Sequence, residues 1–138
     1  MKILVDTPVW SLALRRREGK LSSDEQKLKQ ALNELIRDAR VVMIGPIRQE
    51  LLSGVREEPQ FNRLREHLQA FEDMEIRTAD YERAAQMSNH CRSRGIATSS
   101  VDMLICAVAA GSHSAILTTD RDFLTYSKLL PIQLLRPT

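Results

Sequence analysis

The sequence predicts an α/β domain: a mostly parallel sheet with helices packed over both faces. Short apolar runs rich in β-branched residues recur along the chain, segments with helical apolar spacing separate them, and no repeat or low-complexity tract breaks the alternation. Strands joined through helices run parallel, because right-handed crossovers lay the helices over the sheet. A length of 138 residues, with 43% hydrophobic and 28% charged, suits one core, so a single domain over residues 1 to 138 is expected.

Residues 2 to 5, Lys-Ile-Leu-Val, read as a buried strand closed by Asp6, Thr7 and Pro8, where Thr7 can cap a helix and Pro8 suits its first turn. Ser22-Ser23-Asp24-Glu25 has the form of a capping box, and Leu28, Ala31, Leu32, Leu35 and Ile36 continue at helical spacing to about Arg40. Val41 to Ile44 is a second strand, broken by Gly45 and Pro46, after which Ile47, Leu51 and Val55 mark a helix. Residues 59 to 72 form another helix and Met74 to Arg77 a short strand. Thr78 then caps a helix that stops at Gly95. Ser99 or Ser100 opens an apolar helix ending near Gly111. Ala115 to Thr118 is a strand, Asp120 to Lys128 a helix, and Ile132 to Leu135 a last strand.

A net charge of +2, from 20 basic and 18 acidic residues, does not by itself mark a nucleic-acid-binding protein; a local basic face would have to do so. Cys91 and Cys106 have no metal-ligand spacing and sit in helical patterns, which suits reduced thiols and a cytoplasmic protein. No stretch approaches the roughly 20 apolar residues of a membrane span.

In an open parallel sheet, ligands bind where the strands end. Asp6 follows the first strand directly, and Asp120 follows Ala115 to Thr118 by two residues. Asp102 is the lone formal charge between Gly95 and Thr119, near the start of an apolar helix, so it needs a partner. Glu50 shares a side of its helix with Ile47, Leu51 and Gly54 and is expected to face inward. Each acid taken singly has a structural reading: a turn at Asp6, an N-terminal helix charge at Asp102, a cap at Asp120, a surface position at Glu50. Four together ask for more. Carboxylates about 4 Å apart repel by on the order of 4 kcal/mol per pair at an effective dielectric of 20, so a cluster calls for a cation. Oxygen ligands with no His or Cys beside them favour a hard ion, Mg²⁺ or Mn²⁺, which can acidify a bound water and neutralise a leaving phosphate oxygen.

Four segments bear a resemblance to a known family. Ile-Leu-Val-Asp-Thr at 3 to 7, Gln-Glu-Leu-Leu-Ser-Gly at 49 to 54, Ser-Val-Asp-Met-Leu-Ile-Cys-Ala-Val-Ala at 100 to 109 and Leu-Thr-Thr-Asp-Arg-Asp-Phe at 117 to 123 resemble, in order, the motifs of PIN-domain nucleases, the VapC-type toxins above all. The resemblance spans essentially the whole chain. It implies a PIN-like three-layer α/β/α sandwich, dependence on Mg²⁺ or Mn²⁺, and endonucleolytic cleavage of RNA. It also implies a cognate VapB-type antitoxin seated in a groove beside the site, and a homodimer. By motif, Asp6, Glu50, Asp102 and Asp120 take the places of the acidic quartet, with Asp6, Asp102 and Asp120 on the metal. Asp122 is a fifth acid in the same motif, for which a helix N-terminal charge is an equally good account. Where the family often has Ser or another small residue after Asp-Thr, this chain has Pro8.

Arg92, Arg94 and Arg121 are candidates to steer phosphate, as are Arg15, Arg16 and Arg17, although that run also reads as a solvated helix end. Trp10, Phe61 and Phe71 fit apolar helical positions and are expected in the core or an interface rather than stacked on bases. The alternative function is a catalytically silent PIN-like module that binds RNA or protein. Such a module has no reason to keep four repelling acids together. A receiver-type phosphoacceptor would need paired acids after the first strand, and Asp6 has no acidic neighbour. Which RNA is cut, and whether one or two ions serve the site, has no linear signature.

Overall fold

The computed structural model describes residues 1–15 and 18–136. Three parallel strands, β1 (Ile3–Val5), β2 (Val41–Val42) and β3 (Ala115–Leu117), are ordered β2-β1-β3. Ile3 stands opposite Val41 on one side and Ala115 on the other, Leu4 opposite Val42 and Ile116, and Val5 opposite Leu117. All three residues of β1 have no solvent exposure, as a central strand covered on both faces requires.

Among the described residues, seven α-helices surround the sheet: α1 (Thr7–Arg15), α2 (Ser23–Arg37), α3 (Gly45–Leu52), α4 (Glu58–Leu68), α5 (Thr78–Ser93), α6 (Ser100–Gly111) and α7 (Asp122–Leu129). One packed group joins α1 to α2 and α3, and α3 to α4; the other joins α5 to α6 and α7, with α6 also against β3. This is the α/β/α sandwich expected. Trp10 and Phe123 are the largest fully buried side chains. Trp10 Nε1 donates to the Val5 carbonyl at 3.1 Å, and its ring meets Phe71 edge-on, the centroids 4.9 Å apart. Both belong to the core as expected, while Phe61 is half-buried.

Local chemistry sets most boundaries. Ser22 and Glu25 close the capping box of α2, each side chain bonding the other's backbone N–H. That helix stops at Arg37, short of Arg40, where Ala39 turns to a positive φ of 55°. Gly95, at φ 76°, supplies the left-handed turn that ends α5. Three expectations need correction. Met74 to Arg77 is not a strand: one parallel bridge, Met43 to Asp73, extends the sheet there, and Arg48 holds the segment by an ion pair to Asp73. Ile132 to Leu135 likewise contributes only a bridge, Ile116 to Leu134. Thr78 is the first residue of α5 rather than its cap, and the Asp80 carboxylate accepts the Arg77 N–H at 2.9 Å. Cys91 and Cys106 are free and buried. Among the described residues, no helix is long and apolar enough to cross a membrane.

Candidate active site

The end of β1 is the anchor. Asp6 is 5% exposed, its backbone N–H bonds the Leu117 carbonyl at 2.9 Å, and its own carbonyl accepts the first N–H groups of α1. The strand thus runs straight into a helix, with the carboxylate fixed at the junction. Oδ1 accepts the Thr7 N–H at 2.8 Å and Oδ2 the Thr118 hydroxyl at 2.7 Å. Thr118 in turn accepts the Asp120 N–H at 3.0 Å, so one side chain ties the ends of β1 and β3 together. Asp120 accepts the Asp122 N–H at 2.9 Å and turns the chain into α7. This turn delays the helix, which begins at Asp122 rather than at Asp120.

Asp102 lies in the first turn of α6, whose cap is Ser99: its hydroxyl accepts the Asp102 N–H at 3.1 Å. The Asp102 side chain accepts a hydrogen bond from Tyr126 Oη at 3.3 Å. Glu50 departs from expectation in part. Ile47 and Leu51 take the core side of α3, leaving Glu50 exposed at the boundary of that face rather than directed into the core. It still faces the other acids.

The structure therefore brings all four expected acids into one field. Burial raises the Asp6 carboxyl above its ordinary value, opposed by the Thr118 and Thr7 hydrogen bonds and reinforced by the charges of Glu50 and Asp120. Partial desolvation of its carboxyl raises Glu50 although the residue as a whole is exposed, the charge of Asp102 adds to it, and the Thr7 hydroxyl opposes it. Asp102 is raised by burial and by Asp6 and Asp120. Among the described residues, no ion pair involves any of the four. Asp122, ranked below them on the sequence, offers an oxygen that lies with one from Asp102 and one from Asp120 within 4.8 Å of one another. Beneath the acids, the buried Cys106 thiol is pushed far up by burial and by the Asp102 charge, and stays a neutral thiol.

Two residues escaped sequence reading. Thr118 stands in Leu-Thr-Thr-Asp, where the Asp drew the attention. Tyr126 lies four residues beyond Asp122 on α7 and could have been found only by asking which residues share that side of the helix. Burial and the Asp102 charge hold its phenol far above the usual range, so it remains a donor. Among the basic candidates, Arg92 and Arg94 are exposed at the end of α5, and Arg121 is exposed where α7 begins. The Arg15 to Arg17 run falls outside the described side chains.

The donor set suits a divalent cation. It is made of oxygens alone, it partly desolvates like charges, and the buried Thr7 hydroxyl beside it makes no hydrogen bond of normal geometry among the described residues, Glu50 being near enough only to feel it. A hydrated hard ion answers each of these features.

Raised carboxyls make a sign prediction for the metal-free protein. Between the ordinary values, 3.8 for Asp and 4.5 for Glu, and the raised native ones, the folded state binds more protons than the unfolded. These groups therefore favour folding when protonated and lose that contribution as pH rises through the native pKa. In EDTA, the thermal midpoint followed by circular dichroism should change more favourably in the parent than in an Asp6→Asn, Asp102→Asn double variant as pH falls from neutrality towards the ordinary carboxylate values. Equal slopes in the two proteins would mean that the cluster is not strained.

An open parallel α/β domain with acids gathered where β1 and β3 end is the class that fold and site define. The model of the PIN domain family matches residues 3–129, and the chain belongs to that family. Solved structures share the fold. FitAcB from Neisseria gonorrhoeae is 20% identical with a TM-score of 0.77, over 98% of this chain and 97% of that one. VapBC2 from Rickettsia felis, bound to a DNA fragment from its promoter, is 16% identical with a TM-score of 0.75, over 99% and 98%. DNA-bound VapBC from Salmonella typhimurium is 14% identical with a TM-score of 0.70, over 98% and 97%. No curated protein matches the chain.

Proposed function

We propose that this PIN domain is a Mg²⁺-dependent endoribonuclease, with Mn²⁺ as a substitute, and that it serves as the toxin of a type II toxin-antitoxin pair. The observation that carries the reading is the convergence of Asp6, Glu50, Asp102 and Asp120, all oxygen donors, with desolvation and mutual charge raising three of them and, among the described residues, no basic side chain paired with any. Asp6, Asp102 and Asp120 would hold the ion, with Asp122 beside the last two. When bound, such an ion supplies an acidified water and a counter-charge for the phosphodiester oxygens.

The chain's own residues do the rest. Thr118 and the Thr7 N–H hold Asp6 with both oxygens oriented. Glu50, at the exposed rim, is placed to take a proton from an attacking water, and its raised pKa brings it closer to working pH. Arg121, Arg92 and Arg94 are free of ion pairs among the described residues and supply positive charge for an RNA backbone. Toxin–antitoxin complexes of the same fold support a VapB-type antitoxin as partner, and we extend the proposal to a homodimer, to a single domain over residues 1 to 138 and to the cytoplasm.

The test is cleavage of a labelled RNA by purified protein. Mg²⁺ should support cutting, EDTA should remove it, and added Mn²⁺ should restore it. Cleavage that survives EDTA at the original rate would refute the metal-dependent reading, and RNA bound but left intact would favour the silent binding module.

A further inference from the structure

We propose that Tyr126 is a positioning residue: its hydroxyl fixes the Asp102 carboxylate in the orientation in which that acid serves the cation. The inference rests on the metal-dependent reading above and assigns a role outside the four acids.

The other aspartates near Asp102 are anchored by groups at the ends of β1 and β3 themselves. Asp6 is held at both oxygens, and Asp120 is held by the Asp122 N–H. The Asp102 carboxylate is different. It projects from the first turn of α6, with the Ser99 hydroxyl nearby engaged by the Asp102 N–H. Beside the local Ser99 hydroxyl, which also favours the carboxylate, a hydrogen bond reaches its side chain from another helix, from Tyr126 Oη to Oδ2 at 3.3 Å. A donor on Oδ2 distinguishes the two oxygens and restrains rotation about the last side-chain bond.

The donor is itself immobilised. Tyr126 is 2% exposed, and its ring meets Phe123 edge-on with centroids 5.3 Å apart. It sits one helical turn beyond Asp122, so α7 offers both residues from one side. The type of donor matters as well. A Lys or Arg in this place would neutralise Asp102 and compete with the cation, whereas a phenol orients the carboxylate and leaves its charge intact. Partners of this kind typically change metal affinity by about 10- to 100-fold when lost.

The test measures Mn²⁺ binding to the full chain by electron paramagnetic resonance of the free ion, with metal alone as probe. Tyr126→Phe should weaken binding about 10-fold, and its cleavage rate should return towards the parent's at saturating Mn²⁺. Leu32→Ala, at a fully buried position on α2, is the packing control: it should lower the thermal midpoint yet leave the Mn²⁺ dissociation constant within about 2-fold. Unchanged affinity in Tyr126→Phe, or an equal loss in both variants, would overturn the assignment while leaving the metal reading intact. A parent protein that binds no Mn²⁺, or an Asp102→Asn variant that binds it as well as the parent, would overturn the metal reading and this assignment with it.

Discussion

Asp6→Asn and Asp102→Asn should each lower the rate of RNA cleavage by at least about 10³-fold, while circular dichroism shows the parent fold. A factor of 10³ is about 4 kcal/mol of transition-state stabilisation, in line with the several kcal/mol that a correctly held cation contributes. Asparagine is the informative replacement because it removes charge and keeps an acceptor. At position 6 the remaining oxygen can still take the Thr7 N–H, and at position 102 it can still take the Tyr126 hydroxyl. Alanine would leave that buried hydroxyl without its acceptor and blur loss of function with loss of stability. Both variants should also unfold at the same temperature as the parent in EDTA or at a higher one, since each removes a desolvated like charge. Added Mg²⁺ should stabilise the parent and do so far less for the variants. A variant that cuts at the parental rate would show that its carboxylate is dispensable.

The largest expected loss of stability lies at Trp10. Removal of this fully buried ring by Trp10→Ala should cost about 3–5 kcal/mol, a large part of the 5–15 kcal/mol by which an ordinary domain is stable. It takes away the contact with Phe71 and the hydrogen bond to the Val5 carbonyl. Trp10→Phe should recover most of the packing and lack only the hydrogen bond, worth about 1 kcal/mol. Because Trp10 is the one tryptophan, urea unfolding should be followed by circular dichroism rather than by its fluorescence. A loss under about 1 kcal/mol in Trp10→Ala would mean that the β1–α1 junction is held by other contacts.

What could be read from the sequence, and what could not, divides by range. The strand before Asp6 was legible because its three core residues are apolar without a break, as a strand covered on both faces demands. Asp102 was legible as a lone charge in an apolar helix. The expected strands at Met74 to Arg77 and Ile132 to Leu135 failed for a common reason: a four-residue segment cannot tell whether its neighbour offers a full ladder or one bridge, as Met43 and Ile116 do here. Glu50 shows the limit of helical periodicity, which places a residue near a boundary but cannot say on which side it falls. Tyr126 and Thr118 meet the acids through contacts spanning 24 and 112 residues, and nothing local announces either.

The 112-residue span from Thr118 to Asp6 has a further consequence, for the moment at which the cluster can form during synthesis. The carboxylates come from positions 6, 50, 102 and 120, and the bond between Thr118 and Asp6 closes only when β3 docks beside β1. During synthesis, a ribosome that has delivered the first hundred residues carries a chain with half of its acids and no β3. The cluster therefore cannot assemble until β3 has emerged and docked, well after Asp6 and Glu50 have left the ribosome.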